Sequence, residues 1–326
     1  MDKATIIIPN YNGITYLKAC LTSIQEGNGK PCVIVVDNGS TDGSADWLQQ
    51  EWIQEAWEGR LSCIFLSENT GFDYAVNQGI RATKTEYVIL LNNDTVIRAD
   101  FVQQLVECME RHPEAFSAGA KMLNMRQPEL LDDAGDYYCA LGWAYAAGKD
   151  QKENRYQREK KIFAACAGAA IYRMSCLQEI GLFDERHFAY LEDIDIGYRA
   201  QLYGYVNLFA PKAVMYHAGS GASGSRHNAF KVSLSSRNSI YLIYKNMPFL
   251  QILLNLPFLA VGYVLKILFF IKKGLGREYL TGLGKGFAMC MSKESRSHKV
   301  RFLPRRLGAC IRIQWQLWLN MFRLFF

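Results

Sequence analysis

The chain has 326 residues, half of them apolar and about a fifth charged, with no low-complexity tract, which excludes a disordered or fibrous protein and allows a sizeable core. Its nine cysteines (20, 32, 63, 108, 139, 166, 176, 290 and 310) are scattered and never form CxxC, which argues against a zinc site or a disulfide framework and for a reduced compartment. The net charge of +6 is uneven: residues 266–326 hold 13 Lys/Arg and 2 Glu, a net of +11, leaving 6 minus 11, or −5, for the first 265, so a basic tail that meets phosphate, on nucleic acid or anionic lipid, follows a mildly acidic body.

The chain opens on "MDKATIIIPNYNG". Its apolar run is short, ends at Pro9 and has no small-residue cleavage pattern, so it reads as a first strand and not as a signal peptide. Helical spacing follows at Leu17, Leu21 and Ile24. The pattern then repeats. "CVIVVD" leads to a helical stretch at 43–56, "LSCIFLSE" to one at 72–84, and "EYVILLN" to one at 100–112, where Phe101, Leu105, Val106 and Met109 share a face. Apolar strands alternating with helices predict an α/β fold, a mostly parallel Rossmann-like sheet with helices on both faces.

Ligands of such sheets bind at the carboxyl ends of the strands. Those ends read "PNYN" (9–12), "DNGSTDGS" (37–44), "ENTGF" (68–72) and "NND" (92–94), a polar rim around one crevice. The first strand lacks the glycine spacing of a dinucleotide site. The one formal GxGxxG, "GSGASG" at 219–224, sits late in the chain and reads as a loop. Two further stretches carry chemistry. "YLEDIDIGYR" crowds Glu192, Asp193 and Asp195 into a helix start, more acid than complementing a helix dipole requires. Asp195 and Arg199, four apart, read as a structural pair. "AGAAIYR" at 167–173 fits either a close-packed strand or a place where a sugar approaches the backbone.

Six motifs in order, "TIIIPNYNG", "VIVVDNGSTDGS", "ENTGFDYAVNQGI", "YVILLNND", "IGLFDERHFAYLEDIDIGYRAQLYGY" and "VMYHAGSG", resemble family 2 glycosyltransferases over residues 4 to 245. The similarity is greatest to rhamnosyltransferase-like members that build bacterial surface polysaccharides. The resemblance implies a GT-A fold, an inverting reaction and a nucleoside-diphosphate sugar donor, with dTDP-rhamnose first and UDP-hexoses next. It implies a donor pocket made by Pro9, Tyr11, Asp37, Asn69, Gly71, Asn77, Asn92 and Asn93. For Asp37 the plain alternative is a turn cap. It further implies a divalent cation, Mn2+ or Mg2+, held by Asp94 and His217. Asn92 stands where many relatives have the first Asp of DxD, so the ion is expected to bind weakly until the donor diphosphate completes its shell. Asp193 becomes the base that takes the acceptor hydroxyl's proton, and Glu192 a group that orients the acceptor.

Beyond the catalytic domain (1–245), residues 246–326 form a second, helical region expected to associate with the membrane. "MPFLQILLNLPFLAVGYVLKILFFIKK" (247–273) is interrupted by Pro248, Asn255, Pro257 and Lys266. Its clean core, Phe258 to Ile271, would be about 21 Å as a helix, too short for a hydrocarbon core of roughly 30 Å. A crossing would also put the basic tail on the far side, against the positive-inside tendency. An in-plane or re-entrant arrangement is therefore expected. Leu307, Ile311, Trp315, Trp318, Phe322 and Phe325 form a stripe opposite Arg312, Gln316, Asn320 and Arg323, as in interfacial helices. The alternative is packing on the catalytic domain or a second copy.

The sequence thus predicts a metal-dependent transferase at the cytoplasmic face of the bacterial inner membrane, peripheral or monotopic, acting on a lipid-linked or polysaccharide acceptor. Anionic lipid is the expected partner of the tail and nucleic acid is not; homo-oligomerisation is left open. A non-catalytic saccharide- or membrane-binding relative is the alternative.

Overall fold

The computed structural model describes residues 3–219 and 227–324. The first half alternates as expected. In chain order it comprises β1 (Ala4–Asn10), α1 (Ile14–Gln25), β2 (Cys32–Asn38), α2 (Ser44–Leu48), α3 (Glu51–Ala56), β3 (Leu61–Leu66), α4 (Phe72–Ala82), β4 (Tyr87–Leu91), β5 (Thr95–Ile97) and α5 (Phe101–Arg111). Then come β6 (Ala115–Asn124), β7 (Leu131–Asp133), β8 (Asp136–Tyr138), β9 (Ala144–Ala146), β10 (Lys160–Ile162), β11 (Ala169–Arg173), α6 (Met174–Ile180), α7 (Glu192–Tyr203) and β12 (Val206–His217). Five helices close the chain: α8 (Ala229–Asn246), α9 (Phe249–Lys272), α10 (Gly276–Met291), α11 (Lys293–His298) and α12 (Leu307–Arg323).

The sheet runs β10-β12-β6-β11-β4-β1-β2-β3. Strands β1 to β4 pair in parallel; β11 is antiparallel to both its neighbours, and β12 is parallel to β6. Alternate side chains of each strand feed opposite layers. Ile6 and Ile8 pack with Leu17, Leu21, Phe101 and Leu105 on one face, while Ile7 packs with Val76, Ile80 and Leu90 on the other. From β1 the chain moves one way to β2 and β3 and the other way to β4. That reversal leaves a crevice outside the carboxyl ends of β1 and β4, where Asn10 and Asn92–Asp94 stand.

The segment 167–173 resolves as a close-packed central strand, as one of its two readings has it, and its entry, Ala167 and Gly168, borders this crevice. Of the 219–224 loop only Gly219 falls within the described residues.

The tail differs from expectation in one respect. The helix α9 runs unbroken through Pro257 for 24 residues, about 36 Å, so its length would suffice to cross a membrane. Its sidedness is the informative feature. Gln251, Asn255, Leu259, Gly262 and Phe270 are buried along one face. Asn255 and Gln314 of α12 exchange two hydrogen bonds of 2.8 Å, and Trp143 Nε1 donates to the Gly262 carbonyl. The opposite face is bare: among the described residues, 20 of the 24 exposed large hydrophobics lie beyond residue 248, on α9, α10, α12 and Phe302. In α12 the stripe of Leu307, Ile311, Trp315, Leu319 and Phe322 is exposed, with Trp318 half-buried beside it. Asn320, expected on the outer polar side, is instead buried, because its amide donates to the Tyr138 carbonyl at 3.0 Å. Phe325 lies outside the described residues. Leu259, Cys310, Ile313 and Leu317 share one apolar cluster with Tyr138, Phe163 and Tyr198 of the catalytic half.

Candidate active site

The crevice is a cleft of about 1200 Å³. Pro9, Tyr11, Asn69, Gly71, Asn92, Asn93, Asp94, Glu192, Asp193 and His217 all line it. Ten separately named residues therefore converge on one hollow. Tyr11 is open to solvent at its rim, with 44% of its surface exposed.

Two expected donor residues are placed elsewhere. Asn77, on α4, is fully buried and spends its amide on Phe183 and Glu185: Nδ2 donates to the Phe183 carbonyl and to Glu185, both at 2.9 Å, and Oδ1 accepts from Phe183 N. It ties α4 to the segment before α7 and does not reach the cleft. Asp37 is buried behind the cleft wall, accepting from Asn10 Nδ2 at 2.9 Å and Ser40 N at 3.0 Å. Its turn-cap alternative is the geometry observed. The neighbouring Asn38, not singled out in the sequence, does line the cleft and organises its floor. It donates to Asn69 Oδ1 and the Gly71 carbonyl and accepts from Thr70 N and Oγ1. Asn93 in turn donates to Asn10 at 2.7 Å, closing the ends of β1 and β4 into one network. That contact leaves no room for a side chain at residue 13, where a Cβ would stand 2.2 Å from Asn93 Nδ2.

Asp94 and His217 meet because β5 pairs antiparallel with the end of β12. Nε2 of His217 lies 3.3 Å from Asp94 Oδ1, and Nδ1 lies 2.7 Å from Asp132 Oδ2. Two atoms about 3 Å apart can be adjacent ligands of one small divalent ion, whose oxygen and nitrogen ligands stand about 2.1 Å away. The carboxylate behind the second ring nitrogen is the arrangement that orients metal-bound histidines. The residues therefore fit a divalent cation with one carboxylate and one imidazole. Burial works to lower the imidazole's pKa, but the bonds to Asp132 and Asp94 outweigh it and hold the group up at about 9. On the same side of the cleft α8 begins. Its first turn holds Lys231 and no acid, so the positive end of the helix and an ammonium face the space beside Asp94.

Glu192 and Asp193 occupy the first turn of α7. Burial, then the Asp193 and Asp195 charges, push Glu192 up to about 8. Burial also raises Asp193, and a hydrogen bond from Asp136 opposes the rise. Asp136 is itself raised well above the carboxylate range by burial, then by the Asp133 and Asp193 charges. Asp133, Asp136 and Cys166 have ligand atoms within 4.8 Å of one another. Below lies Asp195, which accepts from Arg199, Lys245 and Asn246 at 3.0, 2.8 and 2.7 Å. Lys245 and Arg199, with the Asn246 amide, hold it far below the usual range against the effect of burial. The i, i+4 pair of Asp195 and Arg199 is structural, as expected. Asn38, Asp132 and Asp136 escaped the sequence reading. The signal for two of them was "LDDAGDYY", three acids in five positions.

Comparisons with known proteins bear on the family and the fold. The family model for Glycosyl transferase family 2 matches residues 5–181. The N-acetylglucosaminyl-diphospho-decaprenol L-rhamnosyltransferase of Mycobacterium tuberculosis is 24% identical over 73% of this chain and 86% of its own. The putative teichuronic acid biosynthesis glycosyltransferase TuaG of Bacillus subtilis is 31% identical over 39% of this chain and 50% of its own. Among solved structures, GalNAc-T7 with UDP, GalNAc and Mn2+ superposes with a TM-score of 0.61 at 15% identity, over 74% of this chain and 48% of that one. The mannosyltransferase of Pyrobaculum calidifontis in complex with GDP-Man and Mn2+ has a TM-score of 0.55 at 17% identity, over 96% and 87%. Identities this low establish the GT-A-like fold and no more.

Proposed function

Because the chain belongs to glycosyltransferase family 2, we propose that it transfers a sugar, with inversion, from a nucleoside-diphosphate donor to a lipid-linked saccharide. A deoxythymidine-diphosphate rhamnose is the leading donor and UDP-hexoses follow. The observation that carries the proposal is the convergence of Asp94, His217, Glu192 and Asp193 on one cleft from three distant stretches of chain. The donor assignment leans on the mycobacterial relative, whose name specifies a rhamnosyl group and a diphospho-decaprenol acceptor.

Asp193 takes the proton of the acceptor hydroxyl as that oxygen forms its bond to the anomeric carbon. The bond from that carbon to the diphosphate oxygen breaks on the opposite face, and the diphosphate leaves with the electron pair. Asp136, buried beside Asp193, would help to orient it. A divalent cation bound by Asp94 and His217 would supply positive charge to the leaving diphosphate. Lys231 and the start of α8 face the same charge, and Tyr11 flanks the base.

The tail keeps the enzyme on the cytoplasmic leaflet, where such an acceptor is presented. Supporting this is the one-sided exposure of α9, α10 and α12. A helix that meets the catalytic half through Gln251, Leu259 and the Gly262 carbonyl lies beside that half and is suited to rest in the plane of the membrane. The test of the chemistry is Asp193→Asn, which keeps shape and removes the proton acceptor. Transfer is expected to fall by roughly 10²–10⁴-fold with donor binding retained; near-normal turnover contradicts the assignment.

A further inference from the structure

The backbone that leads into α7 is folded against its own preference. Phe188, Tyr190 and Leu191 have φ of 65°, 72° and 69°. Bulky L-residues avoid this region because Cβ crowds the backbone. Half of the six non-glycine residues with positive φ among the described residues thus stand directly before Glu192 and Asp193. Such conformations persist only where the surroundings over-determine them.

The surroundings here are two side chains of α8. Arg237 Nη2 donates to the carbonyls of Arg186 and His187, at 2.8 and 2.7 Å. Asn238 Nδ2 lies within hydrogen-bonding distance of the carbonyls of His187, Ala189 and Tyr190, at 2.9, 2.8 and 2.8 Å, and its two hydrogens serve those of Ala189 and Tyr190 while Arg237 serves His187. The remaining carbonyl of the run, that of Phe188, accepts from Phe72 N at 2.6 Å. Every carbonyl from 186 to 190 is therefore taken from outside the loop. Arg237 Nε also donates to Asn238 Oδ1 at 2.9 Å, which fixes the amide with its hydrogens toward the loop. Asn238 is fully buried. The helix α8 is itself fixed from behind by α10. A Cβ on Gly282 would lie 1.9 Å from Ser236 Oγ, and one on Gly286 would lie 2.6 Å from the Arg237 carbonyl.

We propose that Arg237 and Asn238 are positioning residues for sugar transfer, a backbone clamp that sets the angle at which Asp193 meets the acceptor, and that α10 sets the clamp. The clamp rests on the reading of Asp193 as the base. Neither side chain touches the reacting atoms, so the transfer step depends on a helix that the tail holds in place.

The test uses the full chain and reads kcat, donor KM, nucleoside-diphosphate binding with Mn2+ by calorimetry, and the melting midpoint. Asn238→Ala removes the donors; Asn238→Asp keeps the shape but sets a carboxylate against three carbonyl oxygens. Gly282→Ala pushes on α8 from outside the cleft. Each is expected to lower kcat by on the order of 10- to 100-fold, with donor KM and diphosphate affinity within about threefold of the parent. Wild-type kcat in folded Asn238→Ala overturns the clamp. So does an equal loss of kcat and donor affinity, the pattern of general damage. If the Asn238 variants do not fold, Arg237→Lys, which keeps charge but loses the fork, is read by the same split. Asp193→Asn is measured alongside. Should it retain activity, the base reading fails and the clamp with it; should it be inactive while Asn238→Ala turns over normally, only the clamp fails.

Discussion

At the scale of single residues the metal pair carries the sharpest expectation. Asp94 and His217 offer one carboxylate and one imidazole, with Asn92 where a second acid could stand. Calorimetry should show weak Mn2+ binding to the free protein and clear binding once nucleoside diphosphate is present. Tight binding without nucleotide contradicts this. Asp132→Asn, which loosens the orientation of His217, is expected to weaken the ternary affinity by roughly 10- to 100-fold, and an unchanged isotherm would exclude the contact. Asp73 gives a second test, on stability. It is fully buried, and neither carboxylate oxygen has a hydrogen-bond partner among the described residues. Burial, then Glu192, Asp195 and Asp184, raise its pKa well above the ordinary value. Its folded form thus holds a proton that the unfolded chain gives up near pH 4. Its cost to folding is absent below that pH and grows as pH rises toward the folded pKa. Asp73→Asn should therefore raise the melting midpoint more at pH 8 than at pH 5; an equal shift at both would sink the idea. The strand-end residues and the Glu-Asp pair were legible because family-like motifs and polar strand ends coincide. Asn77 misled because a helical asparagine next to a glycine turn looks the same whether it faces a ligand or a backbone carbonyl. Asp132 and Asp136 were hidden because groups they meet, the His217 ring and the Ala164 backbone, stand 85 and 28 positions further along the chain.

At the scale of elements, periodicity was a good guide where one face is buried. The first four strands and the helices α1, α4 and α5 stand within a residue or two of their patterns. The stretch 43–56 split into α2 and α3 at Gln49–Gln50. The apolar α9 was harder. A proline inside a helix reads as a break, yet it costs only one backbone bond and a local clash that neighbouring packing can absorb. The exposed stripe of α12 makes a direct expectation. Trp315→Glu with Trp318→Glu puts two charges on that face. Sedimentation with anionic vesicles should fall while nucleotide-sugar hydrolysis stays, and undiminished sedimentation counts against an interfacial α12. Neutral vesicles should bind the parent less, because basic residues near an anionic surface contribute about 1 kcal/mol each.

At the scale of the whole molecule, the division at residue 245 separates chemistries but not cores. Ending the chain there would remove Asn246 from Asp195 and take Leu259, Ile313 and Leu317 from the cluster around Tyr138. Buried leucine and isoleucine truncations cost about 2–5 kcal/mol each, against a typical total stability of about 5–15 kcal/mol. A chain of residues 1–245 is expected to lack a cooperative melting transition; a sharp one would show the catalytic half to be self-sufficient. The placement of Phe230 adds a kinetic consequence. This ring, 57% exposed, sits at the lip of the cleft on the helix that leads directly into the bare face of α9. An acceptor with a polyprenyl chain would then be met by diffusion in two dimensions, within the leaflet, and the quantity that sets the encounter rate would be its mole fraction among lipids. Diluting acceptor-bearing vesicles with inert lipid, at fixed bulk acceptor, should slow transfer in proportion, whereas adding buffer should leave the rate per vesicle unchanged.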